Sequence, residues 1–274
     1  EIFYLDLPSA ERLPRTFGLL RVQPVPPAQV KAYLINRLEP EQGMADWNAI
    51  RTHRLLRIFR TPLILDKFTE KRKSGQSVPR SKIELLRDYF NDFFSTWELR
   101  KGRRIPDIEI KKEILSRLAG FLFEHGAYAV DLSDFQRQLR TIWNDLLRRH
   151  PSLQGALEPL KFLKQHGLIA QRGREEGFVL PIYRDFFLIE GGISTARTWQ
   201  QQWRLAEICR ELGFDTEAQD LYRAAAVDSQ ASGSCRIAAA LYCNTQGDYA
   251  TATELFQLEQ KLDRDNPVAY QAYA

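Results

Sequence analysis

Metal-ligating or nucleophilic chemistry in this 274-residue chain would have to begin from four histidines and three cysteines. His53, His125, His150 and His166 are scattered, with no HExxH to set two imidazoles on one helix face and no cysteine at ligand spacing. His150 precedes Pro151 and His166 precedes Gly167, helix-end positions where an imidazole hydrogen-bonds terminal carbonyls. Cys209, Cys235 and Cys243 are odd in number, lack CxxC spacing and crowd the C-terminal quarter, so they read as reduced helix-packing residues. No GxSxG is present, and no Ser, His and Asp arrangement stands out. Glu175 and Glu176 fall in QRGREEG, which the pattern predicts to be a solvated hairpin turn.

Phosphate chemistry needs a glycine-rich cradle, and none is found. KSGQSVPRSK lacks the glycine spacing and the Gly-Lys pair of GxxxxGK[ST], and GREEG has neither Lys nor a hydroxyl in place. FYLDLPSAE carries Asp6 behind apolar residues, but no strand ends in paired acids for Mg²⁺. The chain by itself is expected to be non-catalytic, with no metal site.

The elements that would position any site are overwhelmingly helical, so the fold class reads as mainly α. PVPPAQVKAYLINRL starts a helix at Pro26 and Pro27 and places Val30, Tyr33, Leu34 and Leu38 on one face. A second helix is expected through Trp47, Ile50, Leu55, Leu56 and Ile58, interrupted by Pro62, with LILDKF opening the next. After the loop-like KRKSGQSVPRSK, Ser81 and Glu84 stand at capping-box spacing ahead of Ile83, Leu86, Tyr89, Phe90, Phe93, Phe94 and Trp97, a helix expected to end near Gly102. Three helical runs follow, EILSRLAGFLFEHG, LSDFQRQLRTIWNDLLRRH and LQGALEPLKFLKQHG, the last stopped by Gly167. Leu168–Ala170 and Phe178–Leu180 then form a β-hairpin, and three helices before a hairpin is the order of a winged helix.

Beyond Thr198 the chain repeats with a period of 34. Gly213 aligns with Gly247, Ala218 with Ala252, Leu221 with Leu255 and Tyr222 with Phe256, and Asp215 lies within one position of Asp248. Small residues at Ala206, Ala218, Ala239 and Ala252 let paired helices approach, which is the tetratricopeptide arrangement, and NPVAYQAYA reads as the start of a third repeat.

Charge is uneven. Residues 51–112 hold 17 Lys and Arg against 8 Asp and Glu, whereas residues 207–265 hold 5 against 11. The cations interleave with apolar positions, which favours a solvated face over a nucleic-acid surface. Direct DNA binding is not expected: LQGALEPLKFLKQHG offers only Lys161 and Lys164 beside Glu158, with Arg172 and Arg174 on the wing. No run is apolar enough for a membrane span and no signal peptide leads the chain, so a cytoplasmic protein is expected. The first residue is Glu, which reads as a piece of a longer product.

Taken in order, four stretches resemble the C-terminal part of the STAND class of signal-transduction nucleotide switches, the NACHT/NB-ARC type. LRVQPVPPAQVKAYL is similar to the segment after the ATPase core, RTPLILDKF to the proline-bearing start of the small helical domain, and VPRSKIELLRDYFNDFF to the helix that follows. LKFLKQHGLIAQRGREEGFVLPIYRDFF resembles the winged-helix ending. The resemblance implies four parts: residues 1–23 ending the nucleotide-binding core, 24–107 a small helical domain, 108–192 a winged helix, and 193–274 tetratricopeptide-like repeats. It implies a parent that holds ADP and exchanges it for ATP with Mg²⁺, with Pro62 against the adenine. Where such proteins place a phosphate-contacting His this chain has Leu180, which cannot donate a hydrogen bond.

The resulting expectation is the regulatory part of such a switch, its repeats sensing a protein or peptide ligand, with oligomerisation of the active parent and a role in immune-like defence. Two alternatives stand beside it, part of a STAND transcriptional regulator and a helical repeat scaffold without nucleotide.

Overall fold

The computed structural model describes residues 24–99, 108–153, 159–165, 167–192 and 198–263. The expectations for residues 1–23, the helix end near Gly102, His166 and the NPVAYQAYA tail lie outside the described residues, as does the side chain of Trp97. Within them the fold is mainly α, as the periodicity predicts, with a small sheet of three strands where a two-stranded hairpin was expected.

Helix α1 (Pro27–Arg37) and helix α2 (Pro40–Thr52) both begin on a proline, whose missing N–H would have no partner in a first turn anyway. Val30, Leu34 and Leu38 are buried, while Tyr33 is half-buried and donates its hydroxyl to Asp66 at 2.7 Å. The single helix expected from Trp47 to Ile58 is two, because α2 ends at Thr52 and a one-turn α3 (Leu56–Phe59) follows. The break is a Schellman turn: Leu55 N–H donates to Ile50 at 2.9 Å and Arg54 N–H to Arg51 at 3.1 Å. That turn puts Arg54 at φ 55°, the only non-glycine residue with positive φ among those described. The buried Leu55 closes it, so the apolar spacing that suggested a continuing helix is the spacing of a turn with an apolar plug.

Arg54→Gly is therefore expected to stabilise the fold by about 0.5 kcal/mol, the left-handed penalty of roughly 1–2 kcal/mol less the added flexibility of the unfolded chain. The urea midpoint reads this out, and an unchanged or lower midpoint would show that the arginine side chain holds the corner together.

Pro62 itself starts α4 (Pro62–Lys73), one residue before the sequence suggests. Helix α5 (Lys82–Leu99) follows, with Ser81 Oγ accepting from Glu84 N–H at 3.2 Å. The reciprocal half of the box is displaced by one residue, for Glu84 accepts from the Arg80 N–H at 2.8 Å. Arg72 makes a two-pronged ion pair with the buried Asp46, at 2.7 and 2.8 Å, tying α4 to α2.

The middle section runs α6 (Ile108–Glu124), β1 (Ala129–Asp131), α7 (Leu132–Arg149), a 3-10 turn (Pro151–Leu153), α8 (Pro159–Gln165), β2 (Ile169–Arg172), β3 (Glu175–Phe178) and α9 (Pro181–Glu190). The sheet is antiparallel in the order β1-β3-β2, and β1 was not foreseen from sequence. The strands reach deeper into QRGREEG than the apolar stretches suggest, leaving only Gly173 and Arg174 between them, while Val179 and Leu180 lie beyond β3. Gly177 sits on the central strand opposite Ala129, where a methyl would run into the Tyr128 carbonyl and come within 2.8 Å of Ala129 Cα.

Repeat helices α10 (Trp199–Leu212), α11 (Asp215–Val227), α12 (Gly233–Thr245) and α13 (Tyr249–Leu262) begin at the 34-residue offset, α10 with α12 and α11 with α13. Gly213 at φ 92° and Gly247 at φ 83° make equivalent turns, with Phe214 donating to Cys209 and Asp248 to Cys243. Ala206, Ala218, Ala239 and Ala252 are all buried where paired helices meet.

One hydrophobic core runs through all of this. At its centre Phe90 of α5 packs against Tyr183, Phe186 and Phe187 of α9, with ring centroids 4.7–5.0 Å apart.

Candidate functional site

Pro62, the residue singled out for nucleotide contact, is half-buried at the first position of α4, and its neighbour Thr61 provides no side-chain cap. Just before it Arg60 clamps the segment entering α1: its carbonyl accepts from Val25 N–H at 2.8 Å and its Nε donates to the Val25 carbonyl at 3.0 Å. Leu180, at the position expected for a phosphate-contacting His, packs on the core just before α9.

Neither of two shallow hollows on the described surface is lined by Pro62. One, about 380 Å³ between α4 and α5, is lined by Lys71, Glu84, Asp88, Asn91 and Asp92, with Lys71 and Asp92 paired at 2.8 Å. The other, about 350 Å³, lies where Arg174 of the hairpin meets Asp131 and Ser133 at the start of α7. Asp131 already caps that helix by accepting from Ser133 N–H and Oγ, and these bonds hold its carboxyl below the usual range.

The remaining residues that could do chemistry are committed to structure. His53 and His150 occupy the caps of α2 and α7, and His125 Nδ1 lies 2.9 Å from the Phe121 carbonyl. All three thiols are free and buried, and burial pushes Cys209 up to about 12 and Cys235 up to about 11, far from nucleophilic. Among the described residues no cluster of metal-ligating side chains forms.

Glu176 departs from the sequence expectation, being fully buried on β3 instead of solvated in a turn. Alternation explains this, since the register pairs Glu176 with Val130 and Gln171 and sends its side chain to the face opposite that of Glu175. Lys164 Nζ stands 2.6 Å from Oε1, off the line a hydrogen bond requires, and neither carboxylate oxygen has a hydrogen-bond partner among the described residues.

Three buried cations were not found from sequence. Arg184 of α9 is almost wholly enclosed, with Nη1 donating to the Ala127 carbonyl at 2.9 Å, Nε donating to Asp185 at 2.9 Å, and its guanidinium 3.6 Å from the Tyr128 ring centroid. Burial raises the Asp185 carboxyl despite that arginine. The signal was legible: an Arg-Asp pair inside an otherwise apolar YRDFF helix needs internal partners. Arg236 of α12 pairs with Glu259 of α13 at 2.6 Å, both buried.

Lys111 of α6 is buried with its ammonium 5.8 Å from the Phe94 ring, and desolvation pushes it down to about 8. A lysine whose folded pKa lies below its unfolded one opposes folding while protonated, because the unfolded chain holds the proton more firmly. Stability is accordingly expected to rise as pH climbs from about 8 towards the unfolded lysine value of about 10.4. Lys111→Met should raise the urea midpoint at pH 7 relative to the parent and shrink that advantage by pH 10. A midpoint difference that does not change with pH would refute the assignment.

The repeats gather a row of aromatic rings with polar partners. Trp203 of α10, Tyr222 of α11 and Tyr242 of α12 form a ladder with centroids 4.7 and 4.8 Å apart. Tyr222 donates its hydroxyl to Glu207, which also accepts from Arg210, and Tyr242 donates to Asp215 at 3.1 Å. Burial raises both phenols well above their ordinary range, so they remain hydrogen-bond donors at any working pH. Trp203 and Tyr242 were missed because Ile237 and Ile208 stand at their positions in the other repeat, so self-alignment gave no signal. Tyr222 is buried in the middle of the ladder, Trp203 and Tyr242 are half-buried at its ends, and both hydroxyls are engaged within the fold. No family model, curated protein or solved structure matches the chain, so the likeness to nucleotide switches rests on the sequence stretches quoted above.

Proposed function

We propose that the chain is the regulatory part of a STAND-type nucleotide switch, with Pro62 on the nucleotide side and the repeats as the arm that senses a protein or peptide. One observation carries the reading, the order of the units. A helical unit with the proline-led α4 and the long α5 comes first, then helix, strand, helix, helix, hairpin and helix, which suits a winged helix, then helix pairs repeating at 34 residues as tetratricopeptides do. Trp203 and Tyr242, half-buried at the two ends of the ladder, with the exposed Arg210 and Asp215 beside them, would supply the aromatic and charged surface a peptide sensor needs. ADP and ATP with Mg²⁺ would be held chiefly by parts of the parent other than this chain, and the active parent would oligomerise in a defence-like response. We place the protein in the cytoplasm, consistent with three free buried thiols and with no described helix long and apolar enough to cross a membrane. DNA binding is disfavoured, because Lys164 is engaged by Glu176 and Arg172 Nη2 donates to the Val179 carbonyl.

The test is nucleotide retention by the native polypeptide. Acid-released ADP is expected at close to one per chain and is expected to fall on Pro62→Ala. A native protein that carries none and lacks a GxxxxGK[ST] upstream of Glu1 would overturn the proposal. The second reading, a rigid repeat scaffold without nucleotide, is favoured by the core that passes unbroken from α5 through α9 into α10.

A further inference from the structure

Three acidic side chains are buried among the described residues, and the fold treats one of them differently. Asp46 and Glu259 each accept hydrogen bonds from an arginine, whereas both carboxylate oxygens of Glu176 are enclosed with no donor from the described protein. Its ion pair with Lys164 at 2.6 Å is off line, and that lysine is itself 29% exposed. A carboxylate so placed has given up its hydration without recovering it in hydrogen bonds, so holding β3 down carries a local cost that lifting it into water returns.

The segment that carries Glu176 is held unevenly. β2 and β3 are joined by Gly173 and Arg174 alone, and two side-chain bonds stay within the hairpin: Gln171 Nε2 donates to the Gly173 carbonyl at 3.0 Å and Arg172 Nη2 to the Val179 carbonyl at 2.9 Å. The base is fixed, with Ile169 and Phe178 buried and the Phe178 ring stacked on Phe187. The tip has less to hold it. It pairs with β1 over three residues, accepts from the Leu132 N–H at the Arg174 carbonyl at 2.8 Å, and relies on Lys164 for the rest. The hollow of about 350 Å³ lies where this tip meets α7, lined by Gly173 and Arg174 from the hairpin and by Leu132 and Gln136 from the helix.

We infer that the tip of the β2–β3 hairpin is a flap that opens over the start of α7 while the rest of the fold stays intact, Glu176 being the built-in cost that keeps the closed and open forms close in free energy. Opening turns on Ile169 and Phe178, hydrates Glu176, widens the hollow and frees Lys164, which the closed form keeps occupied. The flap follows from the hairpin's own contacts and does not depend on the nucleotide-switch reading.

Native-state hydrogen exchange on the full 274-residue chain, read by mass spectrometry across a urea series, tests it. Peptides covering residues 170–177 are expected to exchange through an opening with a much smaller urea dependence than peptides from α9, whose buried helix exchanges on global unfolding. Glu176→Leu removes the cost of closure and should slow hairpin exchange about tenfold, whereas Lys164→Met strands the carboxylate and should speed it by a similar factor. The leucine would share a face with Phe178 and Val130 in the observed register, so the variant keeps an apolar place to fold into. A hairpin whose urea dependence equals that of α9 would overturn the flap, as would Glu176→Leu leaving hairpin exchange unchanged or faster, the result for a pair that is a plain structural strut. Exchange of the parent's tip at the rate of an unfolded peptide would overturn it too, because the closed form would then not exist.

Discussion

Phe90→Ala is expected to destabilise the chain by about 3–5 kcal/mol, the usual range for deleting an enclosed aromatic ring. Phe90 has no exposed surface and stands among Tyr89, Phe94, Tyr183, Phe186 and Phe187, all within 6 Å between centroids. Three of these neighbours lie on α9, about a hundred residues along the chain, so the cavity would open at the joint between the first helical unit and the middle one. Guanidinium unfolding followed by tryptophan emission and far-ultraviolet dichroism measures the effect, because Trp47, Trp143 and Trp203 report on the first unit, the middle unit and the repeats. If the joint is as continuous as the core implies, both signals shift together in one transition. A variant whose middle unit and repeats melt at the parental midpoint while only the first unit is weakened would refute that continuity.

Such a joint bears on how a switch could work here. Domains move readily against each other when their interface is small and polar, whereas α5 and α9 share a dry aromatic seam. A rotation that separated them would expose Phe90, Phe94, Phe186 and Phe187 together. In a nucleotide-controlled parent the described units would therefore travel as one body, with the hinge elsewhere.

The second large effect concerns the buried pair in the repeats. Glu259→Ala is expected to cost about 3–5 kcal/mol, because it leaves the Arg236 guanidinium enclosed without its counter-charge. Arg236 Nη1 already lacks a hydrogen-bond partner among the described residues, so little solvation is available to compensate. Replacing both residues, Arg236→Met with Glu259→Leu, should restore most of the loss, since two apolar side chains of similar volume carry no desolvation penalty. Chemical denaturation of Arg236→Met, of Glu259→Leu and of the double variant closes the cycle. Single variants that lose less than about 1 kcal/mol would show that water reaches the pair and that it behaves as a surface ion pair.

Much of the architecture was readable from periodicity. The apolar face of α1, the alanines of the repeats and the matched turns at Gly213 and Gly247 follow from spacing and residue type alone, because helix pairs at a fixed period repeat their contacts. Non-local partners were not readable. Strand β1 is only three residues long, Ala129–Asp131, and exists because Gly177 lets it approach β3, a contact nearly fifty residues away. Glu176 and Glu175 are identical in type, and only the register of the hairpin decides which is buried. The corner at Arg54 was hidden for a local reason: the turn reuses Leu55 as its plug, so helix and turn share one apolar pattern. As for the candidate residues, Pro62 stands at a helix start, Tyr222 was legible through the repeat, Trp203 and Tyr242 only through contacts, and Arg184 left a trace in the apolar YRDFF helix that the sequence reading passed over.

Vectorial synthesis meets a delay at the aromatic seam. Phe90 leaves the ribosome about a hundred residues before Phe186 and Phe187, an interval of roughly 5–20 s at ordinary elongation rates. Throughout it the apolar face of α5 has no α9 to cover it, and the nascent chain presents a row of aromatic rings to whatever is near. The repeats, which emerge after α9, make most of their contacts with helices just synthesised, so they need little such wait. Need for chaperones should be greatest while the segment between α5 and α9 is being translated, and slowing codons placed there should increase aggregation more than the same codons placed among the repeats.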